Sequence, residues 1–521
     1  MKILCFVYFT LGLVHAVDQT ILFVDDHDIL FRAGTQRILE KPVRHAANPL
    51  ITEDKPWEMA IAWTSVHRDK STGRYQLWYQ AYAGSRAKLK THECVVCYAE
   101  SADGITFTKP NLGLFAFNEE ENTNIVLIGS GVYGDRYCNS VIVDPKEPDA
   151  SKRYKMLYYD WAKSKEGEVI AGLHIAFSPD GIRWTKHSKA PLYSTAFGGK
   201  KLQPPFSGQN PYSETKLSGD RVKRQLLRPI SMSDAADPVF DPKRKLWAIY
   251  GKAWIPGPDG GLAWKHGMGR VESGDLLHWS KPQIVCFPDE QDGALEFHTS
   301  PVFFRHNRYF SLNQILNRPG GGTMDIELMI SRDGLDWQRP FRKDLWLQRS
   351  PEGHFDSGTI ATNSDIIIDG REMRFYYGAY SSGAIGGGTN ITGDQQKSGV
   401  GMVSLPLDRF AGIRSQPEPA TAKVKLPPDI GQITLKSISL SGRTDLYVNA
   451  NALGGTVWCD ILDEDGYRIP GFDKANCTPL KKDTTRFRLT WKGKKLSDLP
   501  AGMYLIRIHL QSAAVYAITL H

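Results

Sequence analysis

A turn signature that recurs four times constrains this chain more than any other feature. Its copies are Ser101-Ala-Asp103-Gly104-Ile-Thr-Phe107, Ser178-Pro-Asp180-Gly181-Ile-Arg-Trp184, Ser273-Gly-Asp275-Leu-Leu-His-Trp279 and Ser331-Arg-Asp333-Gly334-Leu-Asp-Trp337. Asp-Gly supplies the positive φ of a tight hairpin, and the aromatic residue after it can pack between neighbouring sheets. A strand-like run precedes each copy, for example Val95-Val-Cys-Tyr-Ala99 and Ile326-Glu-Leu-Met-Ile330.

A second pattern keeps phase with the first. Large residues alternate in Tyr75-Gln-Leu-Trp-Tyr79, Tyr154-Lys-Met-Leu-Tyr158, Leu246-Trp-Ala-Ile-Tyr250, Tyr309-Phe-Ser-Leu-Asn313 and Met373-Arg-Phe-Tyr-Tyr377, as in half-buried strands. Their spacing of about 60 to 95 residues exceeds that of compact propeller blades and leaves room for long loops. These repeats predict an all-β fold: a five-bladed β-propeller over residues 17–412, followed by a linker at 413–431 and a smaller β-sandwich at 432–521. The last repeat lacks the turn signature and ends in Gly399-Val-Gly-Met-Val-Ser-Leu-Pro-Leu-Asp408, a strand expected to close the ring against Ile21-Leu-Phe-Val24.

Composition narrows the function classes. A formal charge of +7 over 521 residues, with no basic run, gives nucleic-acid binding little support. Met1 to Ala16 reads as a secretory signal, a lysine followed by a short apolar run and a small residue, so the expected protein is secreted and not embedded in a membrane. An oxidising compartment makes Cys459 and Cys477 candidate disulfide partners and Asn390-Ile-Thr392 a glycosylation sequon. Cys94-Val-Val-Cys97 has redox or zinc spacing but sits in a strand-like run with no second ligand pair, which favours buried structural cysteines.

In a propeller the innermost strand of each repeat begins at the central channel. The residues there are Glu58 beside Trp57 and Trp63, Asp135 with Tyr137, Asp234 and Asp237, Glu296 with His298, and Asp356. Converging carboxylates are what glycoside hydrolysis needs: one protonates the leaving oxygen while another activates water or attacks the anomeric carbon. On this reading Asp237, Glu296, Glu58, His298, Asp135 and Asp356 form the catalytic set. Trp57, Trp63, Tyr137 and Asp234 would meet the sugar. No metal or cofactor is implied, although a structural cation in the channel stays open.

The five repeats, the Ser-x-Asp-Gly-x-x-Trp turns and the Asp237-Pro-Val-Phe-Asp241 strand start resemble the five-bladed propeller glycosidases of families 32, 43, 62, 68 and 117, and the trailing domain is similar to that of family 32. Further likeness to secreted members of that group lies in His45-Ala-Ala-Asn48-Pro49, Lys109-Pro-Asn-Leu-Gly113 and Asp463-Glu-Asp-Gly-Tyr-Arg-Ile-Pro-Gly471. The resemblance implies that Asp237 orients the acid and stabilises the transition state. It also implies two departures. Thr299 stands where the Glu-x-Pro acid belongs, leaving the proton to Glu296 or His298, and Trp63-Thr-Ser-Val66 holds no first-repeat carboxylate. The expected function is a secreted glycoside hydrolase acting on a poly- or oligosaccharide; the alternative is a glycan-binding propeller without turnover.

Overall fold

The structure is a computed structural model that describes residues 18–521 except 133–139, 164–168, 190, 195–200, 203–207, 210–231, 233–236, 256–257, 259–263, 384–396 and 417–428. Among the described residues it is all-β, with short 3-10 turns the only helical pieces. No helix among them is long and apolar enough to cross a membrane. The described residues form two compact units, one within 41–405 and the other within 18–40 and 406–521.

The larger unit is a succession of antiparallel meanders. The first runs Ala60–Arg68, Tyr75–Tyr82, Cys94–Ser101, Phe107–Thr108; the second Ser140–Val143, Tyr154–Lys163, Val169–Ser178, Thr185–Lys186; the third Asp237–Asp241, Leu246–Ile255, Lys265–Ser273, Gln283–Cys286. A ten-stranded sheet holds two more. Val302–Arg305, Arg308–Asn317, Thr323–Ser331 and Trp337–Gln338 join, through the single parallel pair Met324 and Thr359, the meander of Thr359–Thr362, Glu372–Tyr380, Ser398–Pro406 and Val43–Arg44. Each of the five alternating motifs is thus the second strand of a meander.

The turn signature works as its residue types dictate. Ser101 Oγ accepts the Gly104 N–H at 2.9 Å and donates to Asp103 Oδ1 at 2.8 Å, and that oxygen accepts the N–H groups of Ile105 and Thr106. These bonds to the anion hold the Asp103 carboxyl down at about 2. The same pattern recurs at Ser178, Ser273 and Ser331. Gly104, Gly181 and Gly334 have φ of +75°, +79° and +75°, a region that favours glycine, and Leu276 is forced to +66° in the third copy. The turns also tie meanders together. The Gly104 carbonyl accepts Tyr376 Oη at 2.7 Å from the last meander, Gly181 accepts Trp78 Nε1 at 2.6 Å from the first, and Gly334 accepts Tyr250 Oη at 2.8 Å from the third.

The smaller unit has two sheets around one apolar cluster. One contains Gln19–Leu22, Thr35–Leu39, Ala411–Ser415, Leu446–Asn451, Asp483–Leu489 and Ala514–Leu520; the other contains Ile29–Ala33, Ile430–Leu435, Ile438–Ser439, Thr456–Asp463 and Met503–Gln511. Ile413, Val448 and Ile518 from the first meet Ile433, Ile461 and Ile508 from the second in that cluster. The expected ring closure is corrected here. Gln19–Leu22 pairs with Ala514–Leu520, and Ser398–Pro406 closes instead on Val43–Arg44. The apolar face of the first strand is satisfied by the smaller unit's core, where Ile21 and Phe23 are buried.

The anticipated disulfide is also corrected. Cys459 and Cys477 are free thiols in the same apolar cluster, their sulfurs 3.5 and 3.6 Å from the carbonyls of Asp460 and Thr478. Burial pushes both thiols up, Cys477 to about 11, and both pack as small hydrophobes. Alkylation of the unfolded, unreduced protein is therefore expected to label both cysteines, with no change of Tm on adding reductant to the native protein; a linked Cys459–Cys477 peptide would disprove this.

Candidate active site

Four meanders converge on one pair of carboxyls, Asp237 and Asp365. Asp237 opens the first strand of the third meander, where it faces Tyr250, and only 5% of its surface is exposed. Asp365 lies in the last meander, in the break between Thr359–Thr362 and Ile367–Asp369. Its Oδ2 accepts Ser65 Oγ at 2.7 Å and the Val66 N–H at 2.9 Å from the first meander. Ser65 Oγ accepts in turn the Val141 N–H of the second at 3.0 Å. Asp237 takes hydrogen bonds from the Ser140 hydroxyl and the Ser364 N–H. Asn363 sets the break by donating to the Thr64 carbonyl at 2.9 Å and accepting the Asp365 N–H at 2.8 Å.

Burial disfavours charge on both carboxyls. Desolvation lifts Asp365 to about 6, against the hydrogen bonds from Val66 and Ser65. Desolvation and then the nearby Asp365 charge lift Asp237 to about 7, against the bonds from Ser140 and Ser364. The pair therefore loses its protons in two coupled steps near neutral pH, and between them shares one proton. Such a pair can donate and accept protons near neutral pH.

Trp63 and His298 are also brought together. Trp63 is the extra residue of a β-bulge between Ala62 and Thr64, at φ +32°, a strained value for a bulky side chain. A Cβ on Gly378 would lie 2.6 Å from the Trp63 backbone nitrogen, so only glycine lets the bulge seat there. The indole stacks on His298 at 6.3 Å and is itself buried. His298 Nδ1 lies 2.7 Å from Gln314 Oε1, and its Nε2 accepts the Lys252 ammonium at 3.0 Å. That places the imidazole proton on Nδ1 and leaves Nε2 without one to give.

The remaining expected acids are occupied elsewhere. Glu296 accepts Arg318 Nε at 2.8 Å and His266 Nδ1 at 2.8 Å. Its burial favours the neutral form, yet these bonds outweigh it and hold the carboxyl far below the usual range, so Glu296 is a fixed anion and not an acid. Glu58 is completely buried among partners of the first meander and its loops: Tyr79 Oη at 2.6 Å, Lys109 Nζ at 2.7 Å and the N–H groups of Asp54 and Lys55. Asp356 pairs with Arg44 at 2.8 Å and Tyr377 at 3.0 Å, pinning the Val43–Arg44 strand. Trp57 packs against Phe117 with its Nε1 donating to Asn124, and at 1% exposure it offers no face to a sugar. Asp135, Tyr137, Asp234 and Asn390 lie outside the described residues.

Asp365 lies after the first strand of its meander, whereas the expected acids stand at or before the start of theirs. The signal was present: Asn363-Ser-Asp365 is a polar triplet interrupting the apolar Thr359–Asp369 run. Register accounts for one departure: Asp237 faces Tyr250, and the matching partner of Tyr79 is Thr64, so a hydroxyl stands where a first-meander carboxyl would lie. Among the described residues no three His, Cys, Asp or Glu side chains gather to hold a metal ion.

No protein-family model and no curated protein sequence matches the chain. Solved structures do. A thermostable family-43 glycoside hydrolase is 14% identical with TM-score 0.41, covering 71% of this chain and 96% of its own. A Bombyx mori family-32 β-fructofuranosidase is 11% identical with TM-score 0.38, covering 92% and 93%. An N-acetylgalactosamine deacetylase from F. plautii, solved with blood group B trisaccharide, is 15% identical with TM-score 0.42, covering 73% and 97%. The chain is similar to these proteins at low identity, and its site residues rest on the geometry above.

Proposed function

We propose that this chain is a secreted glycoside hydrolase, built as a five-bladed propeller with a trailing β-sandwich, whose proton-transfer pair is Asp237 and Asp365. The observation that carries the reading is that pair, two carboxyls from different meanders held by donors of the first, second and last meanders and lifted toward neutral pH by burial. Five meanders with one strand motif each, and turn carbonyls that bond last to first, first to second and third to fourth, support the radial order. Protonated Asp237 would give its proton to the glycosidic oxygen as the bond to the anomeric carbon breaks, and a water that then adds to that carbon would return a proton to the Asp237 carboxylate. The neighbouring carboxylate favours the developing positive charge on the sugar ring. Export through Met1 to Ala16 belongs to the same proposal.

A second reading is glycan binding without turnover. It is favoured by Thr64 at the register position that Asp237 takes in the third meander, by Thr299 where the resemblance puts the acid, and by the ion pairs and hydrogen bonds that occupy Glu58, Glu296 and Asp356. Release of reducing ends from neutral, uronic and sulfated glycans separates the two. The hydrolase is expected to turn over at least one class, with Asp237→Asn and Asp365→Asn each slower by about 10²-fold to 10⁴-fold. Binding of a glycan without release by the wild type would leave only the second reading.

A further inference from the structure

The smaller unit carries a cavity of about 910 Å³ on the outer face of the Thr456–Asp463 and Met503–Gln511 strands. Along the first strand Val457, Cys459 and Ile461 belong to the apolar cluster, while Trp458, which also packs against that cluster, and Asp460 alternate with them and line the cavity. His509, opposite Trp458 in the register, joins them and bonds Asp460 Oδ2 at 2.8 Å. Arg468, Lys474 and Lys492 complete the charged lining.

The charges in this cavity are unevenly used. Asp460 is bonded to His509, and Asp473 turns into its own loop to accept the N–H groups of Ala475 and Asn476 and the Asn476 amide. Lys474 rests its ammonium 4.2 Å from the centre of the Trp458 ring. Among the described residues no carboxylate forms an ion pair with Arg468, Lys474 or Lys492. Three cations around an indole in one concave site favour a ligand that brings its own negative charge and a flat apolar face.

We propose that this cavity binds an anionic saccharide unit, its sulfate or carboxylate held by Arg468, Lys474 and Lys492 beside Trp458. The anion site stands on the cavity alone; the choice of a saccharide as carrier rests on the hydrolase reading. A neutral sugar would bury the ammonium groups without an opposite charge. Nucleic acid fits less well, since the cations ring one concavity and do not form a track along a backbone.

Calorimetric titration of the full chain with a heparin hexasaccharide, trigalacturonate, cellohexaose and a single-stranded DNA oligomer tests the proposal. Heparin hexasaccharide, trigalacturonate or both are expected to bind more tightly than cellohexaose and DNA, and which of them binds identifies the anion. The paired change Lys474→Ala with Lys492→Ala is expected to weaken that binding at least tenfold, by roughly the strength of charged hydrogen bonds. Lys481→Ala, an exposed lysine outside the cavity, is expected to leave it unchanged. Equal binding of cellohexaose or DNA, no binding of either anionic saccharide, or an equal loss in Lys481→Ala would overturn it. Running the same titration on Asp237→Asn separates the two proposals: retained anion binding with lost hydrolysis supports both, and retained binding by a wild type that hydrolyses nothing leaves the anion site standing alone.

Discussion

Replacing Asp237 with asparagine is expected to slow glycan hydrolysis and, at alkaline pH, to make the protein harder to unfold. The folded carboxyl titrates at about 7 against a reference value of 3.8. A raised carboxyl binds its proton more tightly in the folded state, so stability falls as pH rises from the unfolded value through the folded one. Below about pH 4 both states are neutral and the substitution is close to silent. Above about pH 7 the native protein holds a buried charge that asparagine removes. The gain there is on the order of 2 kcal/mol, less than the full shift because asparagine does not reproduce every bond to Ser140 and Ser364. Urea unfolding at pH 5 and pH 8 measures it, and an equal difference at the two pH values would sink the argument. The same titration shapes activity. Hydrolysis is expected to peak near neutral pH, falling on the acid side as the pair takes up its second proton and on the alkaline side as it loses its last one. A stabilised but inactive variant is the usual mark of a site that trades stability for chemistry.

Much of the fold was legible because its determinants are local. Each Ser-x-Asp-Gly turn closes its bonds within six residues, and each alternating run forms a strand as its residue types dictate, although these strands are buried on both faces and not half-buried as their period of two implies. Asp237 was legible for the same reason, as a carboxyl at a strand start followed by proline and a turn at Asp241. What could not be read is what depends on partners far away in the chain. The Ser65 bond that orients Asp365 spans 300 residues, and no spacing rule reaches that far. Glu296 looked like an acid until Arg318 and His266 arrived from adjacent strands to fix it as an anion. Gln19–Leu22 looked like a ring-closing strand, but alternation only says that a face must be buried and not which core will bury it. The cavity at Trp458 was hidden likewise, since its lysines come from loops that meet only once the sheet has formed.

The largest loss of stability is expected from Arg270→Met. The guanidinium and the Asp241 carboxylate it pairs with, 2.9 Å apart, both have completely buried side chains. Arg270 also donates to Tyr250 Oη and, at 3.1 Å, to the Gly334 carbonyl in the next meander, while Tyr309 Oη from that meander donates to Asp241 at 2.5 Å. The cluster is therefore the rivet between two meanders as well as an ion pair within one. Removing the arginine leaves Asp241 buried with its tyrosine and backbone donors but no cation, a change that costs about 3 to 5 kcal/mol for buried pairs. Asp241 favours its neutral form by burial, yet Tyr309 and Arg270 outweigh this and lower it, so the pair stabilises the fold above about pH 4 and is lost as pH falls. The penalty of Arg270→Met should accordingly shrink in acid. Pairing it with Asp241→Asn should restore part of the loss, because the stranded charge is gone, and a double-mutant cycle in urea reads that recovery directly. If Arg270→Met alone unfolds at the wild-type midpoint, or if the double variant is as weak as the sum of the two single ones, the charge pair does not join these meanders as described.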